Sequence, residues 1–105
     1  MDNKGNALYF SREAIPSRNR LGFDQIQAHK QVCIMPFRRD NLFKYTTMAP
    51  TALEQAESID MLRILEHGLV VRLVETGFHT QSVDIPKDIP LVDELMQTDP
   101  LCRLY

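Results

Sequence analysis

Cysteine is scarce in this chain, and what there is forms no motif. Cys33 and Cys102 stand far apart, with no C-x-x-C spacing and no histidine cluster beside them. This usage excludes a disulfide framework and favours reduced thiols in a cytoplasmic protein. No apolar run approaches the roughly 20 residues of a membrane span. The polar start M-D-N-K-G-N has no signal-peptide core, so we expect no membrane partner.

The chain also lacks an excess of charge of either sign. Twelve basic and 14 acidic residues leave a net charge of −2, which gives no electrostatic reason to expect nucleic acid. No P-loop, G-x-G-x-x-G, H-E-x-x-H or G-x-S-x-G motif is present. His29, His67 and His79 are far apart, without a carboxylate or cysteine at ligand spacing. Their placement favours surface or capping roles over metal binding.

What the chain does have is an ordinary globular composition and one well-marked helix. Its 105 residues, 44% of them apolar and 25% charged, are enough for one small domain with a modest core. Residues 51–68 predict a single helix. Thr51 and Glu54 have the spacing of a capping box, and Gly68 suits the left-handed position just past a helix end.

The second half of this predicted helix carries apolar residues on several sides, which indicates that it runs into the interior. Asp60 and Arg63 lie within that apolar half. The pattern leaves two interpretations open: the pair is a satisfied structural ion pair, or it is part of a site.

Strand predictions flank the helix on both sides. Residues 7–10, 31–37 and 69–76 are short and apolar, and the last is rich in β-branched residues. A short helix is predicted over 41–47 with Asp40 as its N-cap, and a final helix from near Asp88 to Asp99. A helix followed closely by a buried strand predicts an α/β layer arrangement. Residues 11–30 are predicted to form an arm, which is either functional or simply solvated.

One carboxylate is a candidate for chemistry. Asp84 follows a predicted strand and loop and precedes Ile85-Pro86, which places it at the mouth of the predicted sheet. A lone carboxylate there suits Mg²⁺, which is usually held by one or two carboxylates together with substrate phosphates. The alternative is that Asp84 only caps the helix that follows.

Four segments in order resemble the C-terminal half of the 3-deoxy-manno-octulosonate cytidylyltransferases, also called CMP-KDO synthetases. They are A-L-Y-F-S-R-x-x-I-P from residue 7, I-x-x-F-R-R from residue 34, P-x-x-L-E-x-x-E-S-x-x-x-L-R-x-L-E-x-G from residue 50 and V-D-x-P-x-D from residue 83. The first and third are specific, whereas the fourth alone would be weak. The acylneuraminate cytidylyltransferases share the broad fold and are the nearest competing family.

The resemblance implies a partial domain over residues 1–105, the C-terminal part of an α/β nucleotide-diphospho-sugar-transferase-like fold with a mixed sheet and flanking helices. It implies transfer of a cytidylyl group from CTP to a 2-keto-3-deoxy sugar acid in the synthesis of lipopolysaccharide precursors. Asp84 matches the family's C-terminal magnesium aspartate, so Mg²⁺ is the implied cofactor. Arg12 matches the arginine near the sugar-acid pocket. Residues 9–20 match the dimer-forming region, which predicts a homo-oligomer.

Two departures from the family pattern bear on function. The family's N-terminal half, with its nucleotide-binding loop and second magnesium aspartate, has no counterpart here, so we expect a fragment that is inactive alone. The sugar pocket also differs. Gln31 replaces a histidine, Met35 a tyrosine, and Asp60-Met61 a Glu-Gln pair. Because these replacements remove hydrogen-bonding groups from the pocket, we expect it to discriminate differently among sugar acids. The alternatives to an enzyme part are a non-catalytic dimerisation or interaction module and a structural remnant without a ligand.

Overall fold

A computed structural model describes residues 1–17, 25–26, 28–78 and 80–104 of the chain, with only the backbone described for Arg103. The chain divides into two compact units, residues 1–75 and residues 76–105. The part of the predicted arm at 18–24 and 27, and His79, lie outside the described residues.

Three helices belong to the first unit: α1 (Arg39–Thr47), α2 (Ala52–Glu57) and α3 (Met61–Glu66). The predicted short helix is confirmed as α1, although its N-cap is Arg38 and Asp40 lies in the first turn. Asp40 still favours the helix there, because a negative charge near a helix N-terminus offsets the helix dipole. The predicted N-cap role of Asp40 is therefore wrong by two positions.

The prediction of one continuous helix over residues 51–68 is wrong. Ser58 adopts the left-handed conformation with φ of 54°, and it ends α2. The N–H groups of Ser58 and Ile59 both turn back to the carbonyl of Glu54, as at a helix C-terminus. The capping box at the start is confirmed, with the Thr51 N–H donating to Glu54 Oε2 at 3.2 Å. At the other end Gly68 is left-handed, with φ of 73°.

The break at Ser58 allows α3 to reach the centre of the unit. Four apolar side chains are buried there, and Leu62 has no exposed surface. The other three are Phe10, Met61 and Ile64, and half-buried apolar groups pack around them: Ala7, Phe37, Tyr45, Ile59, Leu65, Val71 and Leu73. The core of this unit is therefore built by α3, with residues from the chain before α1 and after α3.

The three predicted strands are not formed as strands in the described residues. One isolated antiparallel bridge joins Asn6 and Arg72. Two hydrogen bonds flank it, from Ala7 N to Val71 O (2.9 Å) and from Leu73 N to Gly5 O (2.8 Å). Residues 5–7 and 71–73 thus lie side by side as a minimal ribbon. A two-stranded pairing is marginal without further strands, so the predicted mixed sheet is not confirmed within this chain.

The second unit contains one helix of some length, α4 (Ile89–Thr98), between the 3₁₀ turns Pro86–Asp88 and Pro100–Arg103. This confirms the predicted final helix, with Pro90 tolerated in its first turn. The Asp99 carboxylate accepts a hydrogen bond from the Leu101 N–H at 2.8 Å and caps the last turn. Among the described residues, no helix is long and apolar enough to cross a membrane.

Candidate functional site

The candidate magnesium residue Asp84 lies in the second unit, just before the Pro86–Asp88 turn, and is exposed. Its carboxylate Oδ2 accepts a 2.7 Å hydrogen bond from the Ser82 hydroxyl. The cap of the turn is supplied by a different residue, Asp88. One oxygen, Asp88 Oδ2, accepts from the backbone N–H groups of Asp84 and Ile85, both at 3.0 Å. The alternative that Asp84 is the helix cap is therefore wrong.

The donor set at Asp84 is small. Among the described residues no group of three or more His, Cys, Asp or Glu side chains could together hold a metal ion. An exposed carboxylate with a hydroxyl beside it does fit Mg²⁺, since that ion keeps several waters and takes one or two carboxylates plus phosphate oxygens. The residues present would supply one ligand and not a complete cage.

Arg12, the predicted sugar-acid residue, is held in the first unit at the end of α2. Its Nε donates to the Glu57 carbonyl at 2.6 Å, and its Nη2 donates to the Ser58 carbonyl at 3.0 Å. The carbonyls of a helix C-terminus lack intrahelical hydrogen-bond donors and carry partial negative charge. A guanidinium supplies both the missing donors and a compensating positive charge. Arg12 therefore has a capping role in this unit that sequence reasoning did not find.

The Glu57 side chain also binds the segment that contains Arg12. Glu57 Oε2 accepts from the Arg12 backbone N–H at 2.9 Å, and Oε1 accepts from the Tyr9 hydroxyl at 3.1 Å. The bond from the Arg12 N–H, with those from Tyr9 and Ser11, lowers the pKa of the Glu57 carboxyl below its ordinary value. Residues 9–12, part of the predicted dimer-forming segment, are thereby fastened to the break between α2 and α3.

The four predicted pocket positions fall into two pairs. Gln31 and Met35 are both exposed and touch each other, with Gln31 Nε2 3.9 Å from the Met35 sulfur. Asp60 is exposed at the N-cap of α3, whereas Met61 is only 4% exposed and belongs to the core. No hydrogen bond or ion pair joins one pair to the other in the described part of the chain.

The partner of Arg63 is Glu54 and not Asp60. Arg63 Nε donates to Glu54 Oε2 at 2.7 Å, and Nη2 donates to Oε1, which makes a bidentate pair across the break. Arg63 also stacks over the Tyr45 ring, 4.8 Å from its centroid. Hydrogen bonding to Arg63, and secondarily to the Thr51 N–H, lowers the pKa of Glu54 despite its burial. Arg63 therefore belongs to a structural ion pair, as one of the two interpretations of the sequence proposed, but its partner is Glu54 and not Asp60.

Glu66 is a further residue that sequence reasoning missed. Its Oε2 accepts from the N–H groups of Leu53 and Glu54, at 3.0 and 3.3 Å, so the last residue of α3 caps the first turn of α2. The Thr51 hydroxyl, together with these N–H groups, lowers the pKa of the Glu66 carboxyl. Glu66 reaches the first turn of α2 only because the chain breaks at Ser58. No local sequence pattern could therefore have indicated this contact.

The two cysteines and the two described histidines, His29 and His67, are exposed. Cys33 and Cys102 are both exposed and not joined in a disulfide. His67 Nε2 lies 3.2 Å from the Ala49 carbonyl, beside the end of α3. His29 Nδ1 lies 3.4 Å from Glu75 Oε1 at a partly exposed position. Both described histidines therefore contact their own chain at its surface.

Comparison with known proteins identifies the relatives of this chain. No protein-family model matches the chain. Curated proteins do: it is 39% identical over 102 residues to the 3-deoxy-manno-octulosonate cytidylyltransferase of Geobacter metallireducens, covering 89% of this chain and 40% of the relative. The same enzyme of Chlorobium phaeobacteroides is 37% identical over 101 residues (96% and 40%).

The corresponding enzyme of Myxococcus xanthus is 39% identical over 93 residues, covering 89% of this chain and 37% of the relative. The resemblance to the 3-deoxy-manno-octulosonate cytidylyltransferases is thus confirmed, and it is to the C-terminal part of these enzymes. The chain spans about 40% of the length of the curated relatives it matches.

Proposed function

We propose that this chain is the C-terminal portion of a cytidylyltransferase that joins CMP from CTP to a KDO-like 2-keto-3-deoxy sugar acid, for lipopolysaccharide precursors, and that it is inactive alone. The observation that carries the proposal is the similarity to the C-terminal part of these enzymes over about 90% of this chain. Transfer to a sugar hydroxyl depends mainly on positioning and on neutralising phosphate charge. A portion with one acidic metal ligand supplies too little of that machinery.

Within the assembled enzyme, Asp84 would hold Mg²⁺ together with nucleotide phosphate oxygens. Two features of this chain support that role: the carboxylate is exposed, and the neighbouring cap is already made by Asp88. When bound, the ion would neutralise charge on the phosphates that react. Ser82, whose hydroxyl donates to Asp84 Oδ2, would orient the carboxylate.

The sugar acid would contact Gln31, Met35 and Asp60, with Arg12 nearby. Met61, which is 4% exposed, would shape this pocket from the core. The Arg12 bonds to the end of α2 give it a positioning role: it fixes residues 9–12 against the helix break that precedes Asp60. Gln31 and Met35, in mutual contact, present an amide and a thioether where the family pattern has a histidine and a tyrosine. Such a pocket would discriminate differently among sugar acids.

The assembled enzyme would act in the cytoplasm as a dimer, with the segment from Tyr9 to Ser17 at the subunit contact. The support is the exposure of Tyr9 and Ile15 in this segment (37% and 47%). The remainder of the predicted dimer region, residues 18–20, lies outside the described residues.

Pyrophosphate release from CTP and KDO tests the proposed activity. The chain alone should release no more than a protein-free control. The chain co-expressed with the N-terminal part of the Geobacter metallireducens relative should release pyrophosphate in a magnesium-dependent way. Activity of the isolated chain that is lost in Asp84→Ala would contradict the predicted inactivity, and a stable but inactive pair would contradict the proposed reaction.

A second candidate function is a non-catalytic interaction module, and the small buried core favours it as an alternative. Only Phe10, Met61, Leu62 and Ile64 are buried apolar side chains among the described residues. A module of this kind would bind its partner without any requirement for CTP or Mg²⁺. Binding that is unchanged by Asp84→Ala, in a pair without pyrophosphate release, would favour this alternative.

A further inference from the structure

The Tyr45 ring contacts two other side chains of the first unit. The centroid of the Phe37 ring lies 5.6 Å from the centroid of the Tyr45 ring, and the ring planes are inclined by 40°. The guanidinium carbon of Arg63 lies over the same ring, 4.8 Å from its centroid. Both rings are half-buried against the core, and Arg63 is held by its bidentate pair with Glu54. Phe37, Tyr45 and Arg63, the Tyr45 cluster, are therefore fixed with respect to one another.

One end of the Tyr45 cluster adjoins Gln31 and Met35. Phe37 follows Met35 in the chain, with only Pro36 between them. The proline ring fixes its own φ and restricts the backbone of the residue before it, so the position of Phe37 limits the position of Met35. Gln31 Nε2 in turn lies 3.9 Å from the Met35 sulfur. The Phe37 ring therefore anchors this pair of predicted pocket residues to the Tyr45 cluster.

The other end of the Tyr45 cluster adjoins Asp60, the N-cap of α3. The Arg63 backbone N–H donates to the Asp60 carbonyl at 3.2 Å, in the first turn of that helix. Burial, and after it the charge of Asp60, raises the pKa of the Tyr45 hydroxyl, so the Asp60 carboxylate acts on the Tyr45 side chain. Packing of the Tyr45 ring thus connects two groups of pocket positions that no hydrogen bond or ion pair joins in the described part of the chain.

We infer that Tyr45 is a positioning residue of the sugar-acid site, whose ring sets the separation between the Gln31–Met35 pair and Asp60. A sugar acid that contacts both must span a fixed distance, and a misplacement of about 1 Å costs on the order of 100-fold in a site that depends on orientation. An aromatic ring suits this task because it is large and rigid. The inference rests on the proposed function, from which it takes the ligand, and it concerns affinity for the sugar acid and not turnover.

Isothermal titration of KDO into the co-expressed pair of this chain and the N-terminal part of the Geobacter metallireducens relative tests the inference. Tyr45→Leu removes the ring and keeps an apolar side chain. We expect it to raise the Kd for KDO on the order of 10-fold and to leave the Kd for CTP unchanged. Tyr45→Phe retains the ring and should bind KDO as the unmodified pair does. Phe43→Leu is the matched control, since this ring is on the same helix but 59% exposed and should change neither Kd.

Far-ultraviolet circular dichroism of each variant shows whether the helices remain. If Tyr45→Leu does not fold, Phe37→Leu carries the same expectation, because it removes the other ring from the contact. An unchanged Kd for KDO in the leucine variant would overturn the inference, as would an equal loss of affinity for KDO and CTP. Equal weakening by Tyr45→Phe and Tyr45→Leu would overturn it too, because the hydroxyl and not the ring would then matter.

The titration also separates this inference from the proposed reaction. Failure of the unmodified pair to bind KDO would overturn the inference, whatever the pair does with CTP. A pair that binds KDO and releases no pyrophosphate would reject the proposed reaction. In that case the order of the KDO affinities of Tyr45→Leu, Tyr45→Phe and Phe43→Leu would still support or overturn the positioning role of Tyr45.

Discussion

The backbone N–H of Asp84 donates a 3.0 Å hydrogen bond to the carboxylate of Asp88. The two acids are four residues apart, and the contact divides their roles. Asp88 turns its carboxylate back onto the chain, where it also accepts from the Ile85 N–H and caps the turn that leads into α4. The side chain of Asp84 is left exposed, and among the described residues its Oδ2 accepts only the hydrogen bond from the Ser82 hydroxyl.

The division of roles predicts opposite effects for two substitutions. Asp88→Ala should lower the free energy of unfolding of the second unit by about 1 kcal/mol, since it removes the acceptor of two backbone N–H hydrogen bonds at the start of the turn. Asp84→Asn should leave stability unchanged. In the co-expressed pair, Asp84→Asn should lower turnover on the order of 100-fold, because an amide supplies no charge to hold Mg²⁺.

Urea unfolding of the chain and initial rates of pyrophosphate release by the pair measure the two effects, with Asp93→Asn on α4 as the matched control. Near-normal turnover and unchanged magnesium dependence in Asp84→Asn would reject the metal role. A loss of stability in Asp84→Asn equal to that in Asp88→Ala would reject the division of roles.

The parts of the fold that sequence reasoning predicted are those fixed by neighbouring residues. The Thr51–Glu54 capping box and the short helix α1 are read from spacings of three or four residues, and both are present. The Ser58 break was missed because serine carries no strong stop signal. The left-handed turn there is held by longer-range contacts, including the Arg12 bonds to the carbonyls of Glu57 and Ser58.

The parts that could not be predicted depend on contacts between distant residues. The sequence suggested Asp60, three residues away, as the ion-pair partner of Arg63. Arg63 instead binds Glu54, on the other side of the break. The apolar runs at 31–37 and 69–76 predicted strands, but a strand needs neighbours. Within the described residues only a single bridge to Asn6 is available to the second run. An apolar pattern indicates that a segment can be buried, but it does not identify the other segment that packs against it.

Leu62 provides a test of where the core lies. Its side chain has no exposed surface, so Leu62→Ala should lower the free energy of unfolding by about 2–5 kcal/mol, through lost burial and the cavity left behind. Leu8, which is 69% exposed, provides the matched control. Leu8→Ala should change stability by less than about 0.5 kcal/mol. Urea unfolding followed by circular dichroism measures both, and equal losses would place the core elsewhere.

Arg12→Lys separates the helix-end role of Arg12 from a purely substrate-binding one. A lysine ammonium cannot reproduce the paired bonds from Nε and Nη2 to the Glu57 and Ser58 carbonyls. We expect the free energy of unfolding of the unliganded chain to fall by about 1 kcal/mol. Arg38→Lys, at an N-cap without a side-chain cap bond, should have no effect. Unchanged stability in Arg12→Lys, measured by urea unfolding without any ligand, would remove the positioning role.

The Glu54–Arg63 pair predicts how stability depends on pH. The pKa of Glu54 is lowered from its ordinary value of 4.5, chiefly by the hydrogen bonds from Arg63. A carboxyl whose folded pKa is depressed binds its proton more weakly in the folded state than in the unfolded chain. Its stabilising contribution is therefore complete above pH 4.5 and is lost as the pH falls through the lower folded value.

Glu54→Gln should consequently destabilise the chain at pH 7 and flatten the loss of stability on acidification. The glutamine side chain has no charge to lose and leaves the Arg63 guanidinium without its anion. Urea midpoints at pH 7 and at pH 3 measure the effect, with the exposed Glu13→Gln as the matched control. The difference between wild type and Glu54→Gln should be largest at pH 7 and should shrink as the pH falls toward 3. A difference that stays constant across this range would show that the pair contributes through packing alone, and that the lowered pKa of Glu54 does not govern the acid sensitivity of the first unit.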